Sequence, residues 1–276
     1  MNVLLNQEYA NADNYPLFLD IYLPDNSPGL LPVVLYLHGG GWRTGSKDNP
    51  AGLFLVEEGY ALVSANYRLS GIAPFPAQIH DCKAAVRWIR ANADRYGWDP
   101  ARVGVFGVSA GGHLAALLGT TTGRNDTGFD QAHNNQEFSS EVQAVVNICG
   151  PTDFLADGDS APLRRRTSPT EVAEADATLA ALFGGPLHEK EYLARTASPV
   201  TWVHPHVPPF LLVHGEQDEI VPLAQSLLLH DALIRAGAHS TLVQIPEAGH
   251  GFTPEQREIV TGQVRAFLQT RLKGNA

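Results

Sequence analysis

A serine held between glycines is the first group in this sequence that is equipped for chemistry. It lies in Val103-Gly104-Val105-Phe106-Gly107-Val108-Ser109-Ala110-Gly111-Gly112-His113-Leu114, where a short apolar run meets the start of a helical pattern. A Gly-x-Ser-x-Gly pattern between a strand and a helix holds the serine on a sharp turn with its hydroxyl exposed. Matches this short also occur in ordinary strand-to-helix connections, so Ser109 needs chemically suitable partners.

The first partner is a base, because a serine hydroxyl is a weak nucleophile at neutral pH until its proton is taken. Among the eleven histidines, His250 is the best candidate, since glycines on both sides let its loop bend towards Ser109. His239 precedes a predicted strand and so lies at the wrong end of the sheet. His214 follows a strand, and we interpret it as structural, shaping the loop that carries the acid.

The second partner is a carboxylate, which would fix the tautomer of the base and stabilise its charged form. Asp218 follows the apolar run 210–214 by four residues and lies one strand before His250. This gives the chain order serine, acid, histidine that such strand–turn–helix sites use. Other carboxylates compete for the role: Glu216, Glu219 and, as the reserve candidate after another strand, Asp153.

Three consecutive glycines follow a buried apolar run in His38-Gly39-Gly40-Gly41-Trp42. Attack on a carbonyl creates an oxyanion, and removing one hydrogen-bond donor to it costs roughly 3 kcal/mol. Glycines expose backbone N–H groups without a Cβ in the way. We predict that Gly40, Gly41 and Ala110 supply these donors. A flexible turn is the alternative explanation of the glycines.

The residues at either end of this glycine loop receive separate predictions. We expect His38 to anchor the loop by hydrogen bonding rather than to transfer protons. We expect Trp42 to line the acyl or alcohol side of the substrate pocket, with ordinary packing as an equal alternative. The chemistry calls for no metal and no organic cofactor.

The elements that must position these groups alternate between apolar strands and amphipathic helices. Such alternation predicts an α/β fold with a mostly parallel sheet covered on both faces, whose sites lie at the carboxyl ends of the strands. We predict one domain over residues 1–276, with a cap insertion around 154–200. The predicted strands are 17–23, 32–37, 60–66, 103–108, 142–149, 210–214 and 240–245. The predicted helices are 51–58, 78–96, 170–183, 223–236 and 255–272, and a further helix directly follows Ser109 with Leu114, Leu117 and Leu118 facing inward.

Net charge and cysteine content limit the classes of binding partner that we expect for this chain. A net charge of −10 and 44% hydrophobic residues fit a globular protein that binds neither nucleic acid nor an anionic membrane. The basic run 164–166 is predicted to be a solvated loop. Cys82 and Cys149 lack metal-ligand spacing, so we predict buried free thiols. A homodimer is compatible with the sequence.

The start of the chain favours a cytoplasmic protein. Met1-Asn2-Val3 opens no basic-then-apolar leader, and the sequence has no long apolar span. A secreted protein whose signal peptide had been removed would look the same.

Together these stretches resemble the α/β-hydrolases, and most closely the hormone-sensitive-lipase-like carboxylesterases. The compact length and the Gly-Gly-Trp resemble the branch that contains bacterial feruloyl and acetyl-xylan esterases. The resemblance covers about residues 19–268 and implies an eight-stranded sheet with one antiparallel strand, and a triad of Ser109, Asp218 and His250. The stretches that carry it are His38-Gly39-Gly40-Gly41-Trp42, Asn66-Tyr67-Arg68-Leu69, Gly107-Val108-Ser109-Ala110-Gly111-Gly112, His214-Gly215-Glu216-Gln217-Asp218 and Gly249-His250-Gly251.

The sequence also departs from that family. The family's tyrosine-arginine-leucine leads into Ala-Pro-Glu, whereas residues 70–74 here are Ser-Gly-Ile-Ala-Pro. The two-helix amino-terminal cap of larger members is missing, which favours an open pocket over a lid-gated one. We expect Tyr67 and Arg68 to be structural, with Asp81 as a buried partner of the arginine.

The resemblance implies a serine esterase that cleaves short-chain or aromatic-acid esters, such as acetyl or feruloyl esters, through an acyl-enzyme. Arylformamidases share this pattern but usually carry a bulkier residue in the glycine triplet. Peptidases of the prolyl-oligopeptidase kind normally add a β-propeller, for which this chain has no residues. Hydrolase-like small-molecule receptors typically lose a triad member, and none is missing here.

Overall fold

The computed structural model describes residues 1–12, 14–26, 29–130, 134–163 and 169–274. The predicted basic loop 164–166 lies outside this part of the chain. Eight strands are present: β1 (Asn2–Ala12), β2 (Tyr15–Leu23), β3 (Leu31–Leu37), β4 (Ala61–Ala65), β5 (Trp98–Val108), β6 (Ala144–Ile148), β7 (Phe210–Gly215) and β8 (Ser240–Ile245).

Helices connect these strands, as the alternating pattern predicts. They are α1 (Phe54–Glu57), α2 (Ala77–Ala91), α3 (Ala93–Tyr96), α4 (Ala110–Thr120), α5 (Pro169–Phe183), α6 (Glu191–Ala197), α7 (Leu223–Arg235) and α8 (Pro254–Leu268). Short 3-10 turns occur at Gly158–Ser160, Leu187–Glu189 and Pro199–Trp202, and a π-helical turn at Gln269–Lys273 extends α8. Within the described residues, no helix is long and apolar enough to cross a bilayer.

The strands form one sheet in the order β1-β2-β4-β3-β5-β6-β7-β8. From β4 through β3 to β8 every neighbouring pair is parallel. Strand β2 is antiparallel to both β1 and β4, so it alone runs against the others. The predicted mostly parallel sheet, with one antiparallel strand among eight, is therefore confirmed.

The central strands are buried on both faces, which explains their continuous apolar runs. All seven residues of β3 are buried. Side chains alternate across the sheet: Val33 and Leu35 join the core beneath α2, α4 and α7, whereas Val34 and Tyr36 join the core beneath α1 and α8.

Local structure differs from the sequence prediction at three places. Strand β1 was not predicted, because its exposed edge position leaves little apolar alternation (burial is confined to its last few residues). The helix predicted over 78–96 is split at Asn92, which has non-helical dihedral angles (φ −108°, ψ 9°) and whose side-chain amide donates to the Trp88 carbonyl oxygen at 2.9 Å. Helix α6 lies in the segment between β6 and β7 and was also not predicted.

Candidate active site

The carboxyl ends of four parallel strands carry the candidate residues to one edge of the sheet. The glycine loop follows β3, Ser109 follows β5, Asp218 follows β7, and His250 follows β8. These strands are parallel members of one sheet, so their ends meet at the same edge. Chain segments more than 200 residues apart in sequence thereby reach one site, as the positions 38 and 250 illustrate.

The turn between β5 and α4 holds Ser109 at φ 55° and ψ −119°, a conformation that non-glycine residues rarely adopt. Such backbone strain costs of order 1–3 kcal/mol and persists only where the surroundings enforce it. Here the Ser109 N–H donates to the Ile148 carbonyl oxygen at 2.7 Å. A Cβ on Gly107 would lie 2.0 Å from the Gly111 oxygen, and one on Gly111 would lie 2.0 Å from the Leu37 oxygen. Both glycines are therefore required by close backbone packing.

A chain of two hydrogen bonds links Ser109, His250 and Asp218. The distance from His250 Nε2 to Ser109 Oγ is 2.9 Å, and that from His250 Nδ1 to Asp218 Oδ2 is 2.7 Å. An ionised carboxylate only accepts hydrogen bonds, so the ring proton belongs on Nδ1. The lone pair of Nε2 then faces the serine hydroxyl, which is the arrangement that a general base requires.

Asp218 is held in its ionised form. Burial alone would raise the pKa of this carboxyl, but hydrogen bonds from His214 and His250 outweigh it and keep the pKa well below its ordinary value. The N–H groups of Ile220 and Val221 both donate to Oδ1 at 2.9 Å. Backbone N–H groups thus hold Oδ1 of this carboxylate, which leaves Oδ2 to face the His250 imidazole.

His214 supports Asp218 from below, in agreement with its expected structural role. Its Nε2 lies 2.7 Å from the Val221 carbonyl oxygen and 3.3 Å from Asp218 Oδ2. Both neighbours are acceptors, so Nε2 carries the proton and Nδ1 accepts from the Ser226 hydroxyl at 2.7 Å. This fully buried ring holds the loop that carries Asp218.

The glycine loop is bent by consecutive residues with positive φ: Gly40 at 112°, Gly41 at 60° and Trp42 at 58°. The turn closes because the N–H groups of Arg43 and Thr44 both donate to the Gly40 carbonyl oxygen, at 3.1 and 3.0 Å. Within the described chain, the N–H groups of Gly40, Gly41 and Ala110 have no protein acceptor. A Cβ on the preceding Gly39 would meet Ser109 Cβ at 3.4 Å, so this loop packs directly against the serine turn.

The structure places Trp42 in the interior rather than on a pocket wall. Its side chain is 1% exposed and packs against His113 and Phe154. The indole N–H donates to His113 Nδ1 at 3.1 Å, and His113 Nε2 lies 2.8 Å from the Ala197 carbonyl oxygen. Of the two roles considered for Trp42, packing is the one that this geometry favours, because the ring is almost fully covered by other side chains.

His113 was not singled out from the sequence, although it links three parts of the site. It joins the glycine loop through Trp42, the serine through helix α4, and the segment between β6 and β7 through Ala197. Burial lowers the pKa of His113 to about 4, so the ring is neutral at pH 7. The feature of the sequence that could have pointed to His113 is its position as a lone histidine, four residues after Ser109, in an otherwise apolar helix.

The other residues considered for catalysis take no part in the hydrogen-bonded chain from Ser109 to Asp218. The Asp153 carboxylate accepts from the Leu155 N–H at 2.9 Å, and Glu216 and Glu219 are exposed. The His239 backbone oxygen accepts from the Phe210 N–H at the start of β7, which puts this histidine at the opposite edge of the sheet.

The remaining structural predictions also have clear outcomes. Arg68 and Asp81 form a buried ion pair at 2.8 Å, as expected. The Tyr67 hydroxyl donates to the His38 carbonyl oxygen at 2.8 Å, and the two rings stack at 4.3 Å, which anchors the start of the glycine loop. Cys82 and Cys149 are both buried free thiols.

Cys149, Asp218 and His250 form one group whose side-chain atoms have the chemistry of metal ligands, all within 4.8 Å of one another. The 2.7 Å hydrogen bond between Asp218 and His250 occupies two of these atoms. A cation would have to break that bond, so the present geometry favours proton transfer over metal binding.

The eight-stranded, mostly parallel sheet with a serine turn after β5 is an α/β-hydrolase fold. The chain belongs to the family described as BD-FAE, whose model matches residues 19–233.

Curated relatives are named as esterases. Esterase LipC of Mycobacterium tuberculosis is 32% identical over 247 residues, which cover 87% of this chain and 58% of LipC. The probable carboxylic ester hydrolase LipM of the same organism is 32% identical over 256 residues, covering 89% of this chain and 54% of LipM. The chain thus spans little more than half the length of these relatives.

Solved structures match over nearly the whole chain. A truncated carbohydrate esterase from gut microbiota is 30% identical, with 98% of this chain and 97% of that chain covered and a TM-score of 0.81. An acetyl ester-xyloside bifunctional hydrolase from Caldicellulosiruptor lactoaceticus is 27% identical, with 92% and 89% covered and a TM-score of 0.73.

Proposed function

We propose that the chain is a serine carboxylic ester hydrolase that cleaves short-chain or aromatic-acid esters through an acyl-enzyme. The observation that carries this proposal is the hydrogen-bonded chain from Asp218 through His250 to Ser109, with distances of 2.7 and 2.9 Å. Family membership and relatives named as esterases support the same activity.

In the first half of this reaction, Ser109 Oγ attacks the ester carbonyl carbon while His250 Nε2 takes the hydroxyl proton. The tetrahedral intermediate collapses, His250 returns the proton to the alcohol oxygen, and the alcohol leaves. In the second half, His250 deprotonates a water molecule, which attacks the acyl-enzyme and releases the acid. Asp218 stays ionised throughout and stabilises the imidazolium.

The oxyanion of each intermediate would be bound by the N–H groups of Gly40, Gly41 and Ala110. Their lack of protein acceptors within the described residues leaves them available, and the bent loop and the serine turn fix their positions before a substrate arrives. Donors placed in advance stabilise the transition state most, because no reorganisation is needed during the reaction.

We further propose that residues 154–200 form a cap on the single domain and contribute to the substrate pocket. Helix α5 supports this role, because a Cβ on Gly41 would lie 3.6 Å from Thr178 Cγ2 and Arg43 Nη1 donates to Thr178 Oγ1 at 3.2 Å. Acetylated or feruloylated carbohydrates are the substrates we favour, since two of the matching structures are named for carbohydrate esters.

The test is a rate panel of p-nitrophenyl acetate and butyrate, methyl ferulate, acetylated xylan and N-formylkynurenine. We expect turnover of the esters and a roughly millionfold loss in Ser109→Ala. N-Formylkynurenine hydrolysed much faster than every ester would replace the esterase proposal with an arylformamidase. An inactive wild-type protein that binds a small molecule tightly would replace it with a receptor.

A further inference from the structure

A separate apolar cavity lies on the sheet face covered by α1 and α8, directly behind the candidate triad. Its volume is about 280 Å³. Val108 and Ile148, which precede Ser109 and Cys149, form part of its inner wall, and Phe252, which follows His250 by two residues, forms another part. Its outer wall includes Phe54 of α1 and Val260 of α8.

The size of the cavity suits a small amphipathic molecule. An apolar protein cavity of about 150 Å³ takes up benzene, so by the same filling one of 280 Å³ accommodates about eleven non-hydrogen atoms. Octanoate, an unbranched carboxylate with eight carbons in total and two oxygens, has ten such atoms. The lining is apolar except for Thr261 and a single charged side chain among the described residues, Arg257.

Arg257 gives the cavity a positively charged rim. Its Nε donates to the Phe252 carbonyl oxygen at 2.9 Å, and within the described chain no carboxylate pairs with it. Arg265, two turns further along α8, contrasts with it, because Arg265 is paired with Glu58 at 3.1 Å. The Arg257 guanidinium therefore has donors available for an anion at the mouth of an apolar cavity.

We propose that this cavity binds a medium-chain carboxylate, with the chain against Val108, Phe252 and Val260 and the carboxylate on Arg257. The bound chain contacts residues near both Ser109 and His250, so occupancy lowers turnover without competing with the ester. The effect on turnover rests on the proposed esterase function, whose own acid products are shorter or aromatic. Binding itself does not rest on it.

Binding is tested by calorimetry with octanoate on Ser109→Ala protein, which removes turnover from the measurement. We expect octanoate to bind at least tenfold more tightly than 1-octanol, which has the same chain without the charge. Arg257→Gln should remove this preference, whereas Arg235→Gln, an exposed arginine on α7, should preserve it. Thr261→Trp, at a half-exposed rim position, should fill the cavity and weaken binding of both probes at least tenfold.

Equal octanoate binding in the parent, Arg257→Gln and Thr261→Trp proteins, each shown to be folded by circular dichroism, would overturn the site.

Inhibition is measured separately on proteins that retain Ser109, with p-nitrophenyl acetate. We expect octanoate to lower kcat with KM unchanged, and the Thr261→Trp protein to lose this sensitivity. An effect on KM alone, unchanged by Thr261→Trp, would instead place octanoate in the ester pocket and overturn the coupling. No ester hydrolysis at all would refute the proposed function and leave the calorimetric result standing.

Discussion

Replacing His113 with glutamine should remove a large part of the acid sensitivity of this protein's stability. His113 is fully buried between two fixed partners, the Trp42 indole N–H and the Ala197 carbonyl oxygen. A neutral imidazole serves both at once, as acceptor on Nδ1 and donor on Nε2. Protonation would turn Nδ1 into a second donor facing the indole N–H, so acid must break this contact or unfold the protein.

The size of the effect is set by the pKa of His113, which burial lowers from 6.5 to about 4. The unfolded chain binds this proton more readily, so stability falls as the pH drops below 6.5 and stops changing near the folded pKa. Between about pH 7.5 and pH 5 the loss is about 2 kcal/mol, and its limit at lower pH is about 3 kcal/mol. This pH window lies above the range in which carboxylates such as Asp218 titrate. The loss of stability caused by protonation of His113 can therefore be measured apart from the loss caused by protonation of carboxylates.

Urea unfolding followed by tryptophan fluorescence at several pH values measures the free energy directly. Glutamine offers an acceptor and a donor without titrating, so the His113→Gln protein should give a stability curve that is flatter by about 2 kcal/mol over this window. His38, whose pKa burial also lowers, is present in both proteins and cancels in the comparison. Identical losses in wild type and variant would refute the assignment of His113 as a buried neutral link.

Other substitutions test the site and its support. Asp218→Asn should lower kcat about ten-thousandfold because His250 then loses its required tautomer, while Asp153→Asn stays near wild type in the same ester assay; the reverse would make Asp153 the acid. Gly111→Ala should cost about 3 kcal/mol or more in urea unfolding, since its Cβ would lie 2.0 Å from the Leu37 oxygen. Gly262→Ala, on α8 with no atom within 4 Å, should instead gain about 0.5–1 kcal/mol. Asp81→Asn should cost about 3–5 kcal/mol by leaving the buried Arg68 charge without its carboxylate, and an unchanged unfolding midpoint would contradict this.

The sequence was sufficient to predict which residues come together at the edge of the sheet. Apolar runs locate the parallel strands, and parallel strands bring the residues at their carboxyl ends to a common edge. Ser109, Asp218 and His250 each lie in the loop or turn after such a run, so their meeting required only the strand order of the fold. The glycines on either side of Ser109 were equally informative. They indicate that other backbone segments pack so closely against the serine turn that no side chain fits there.

Contacts made by tertiary packing were not accessible in the same way. Trp42 and His113 are 71 residues apart and carry no shared pattern, so their hydrogen bond could not be inferred from either position. Without that bond, a tryptophan beside the glycine loop is as compatible with a pocket wall as with the core. Strand β1 was not predicted for a different reason. Its exposed edge position removes the apolar periodicity on which strand prediction relies.

The described part of the site is built on closely packed backbone in unusual conformations. Ser109 and Trp42 both sit at positive φ, and the glycines that flank Ser109 pack at distances that exclude a single methyl group. Buried hydrogen bonds of His214 and His113 then hold the loop that carries Asp218 and the glycine loop, respectively. The geometry of the proposed catalytic residues is therefore set by the core, and we expect substrate preference to come from elements that the core constrains less tightly. Helix α5, which lies between β6 and β7 and contacts the glycine loop through Thr178, is the element in that position.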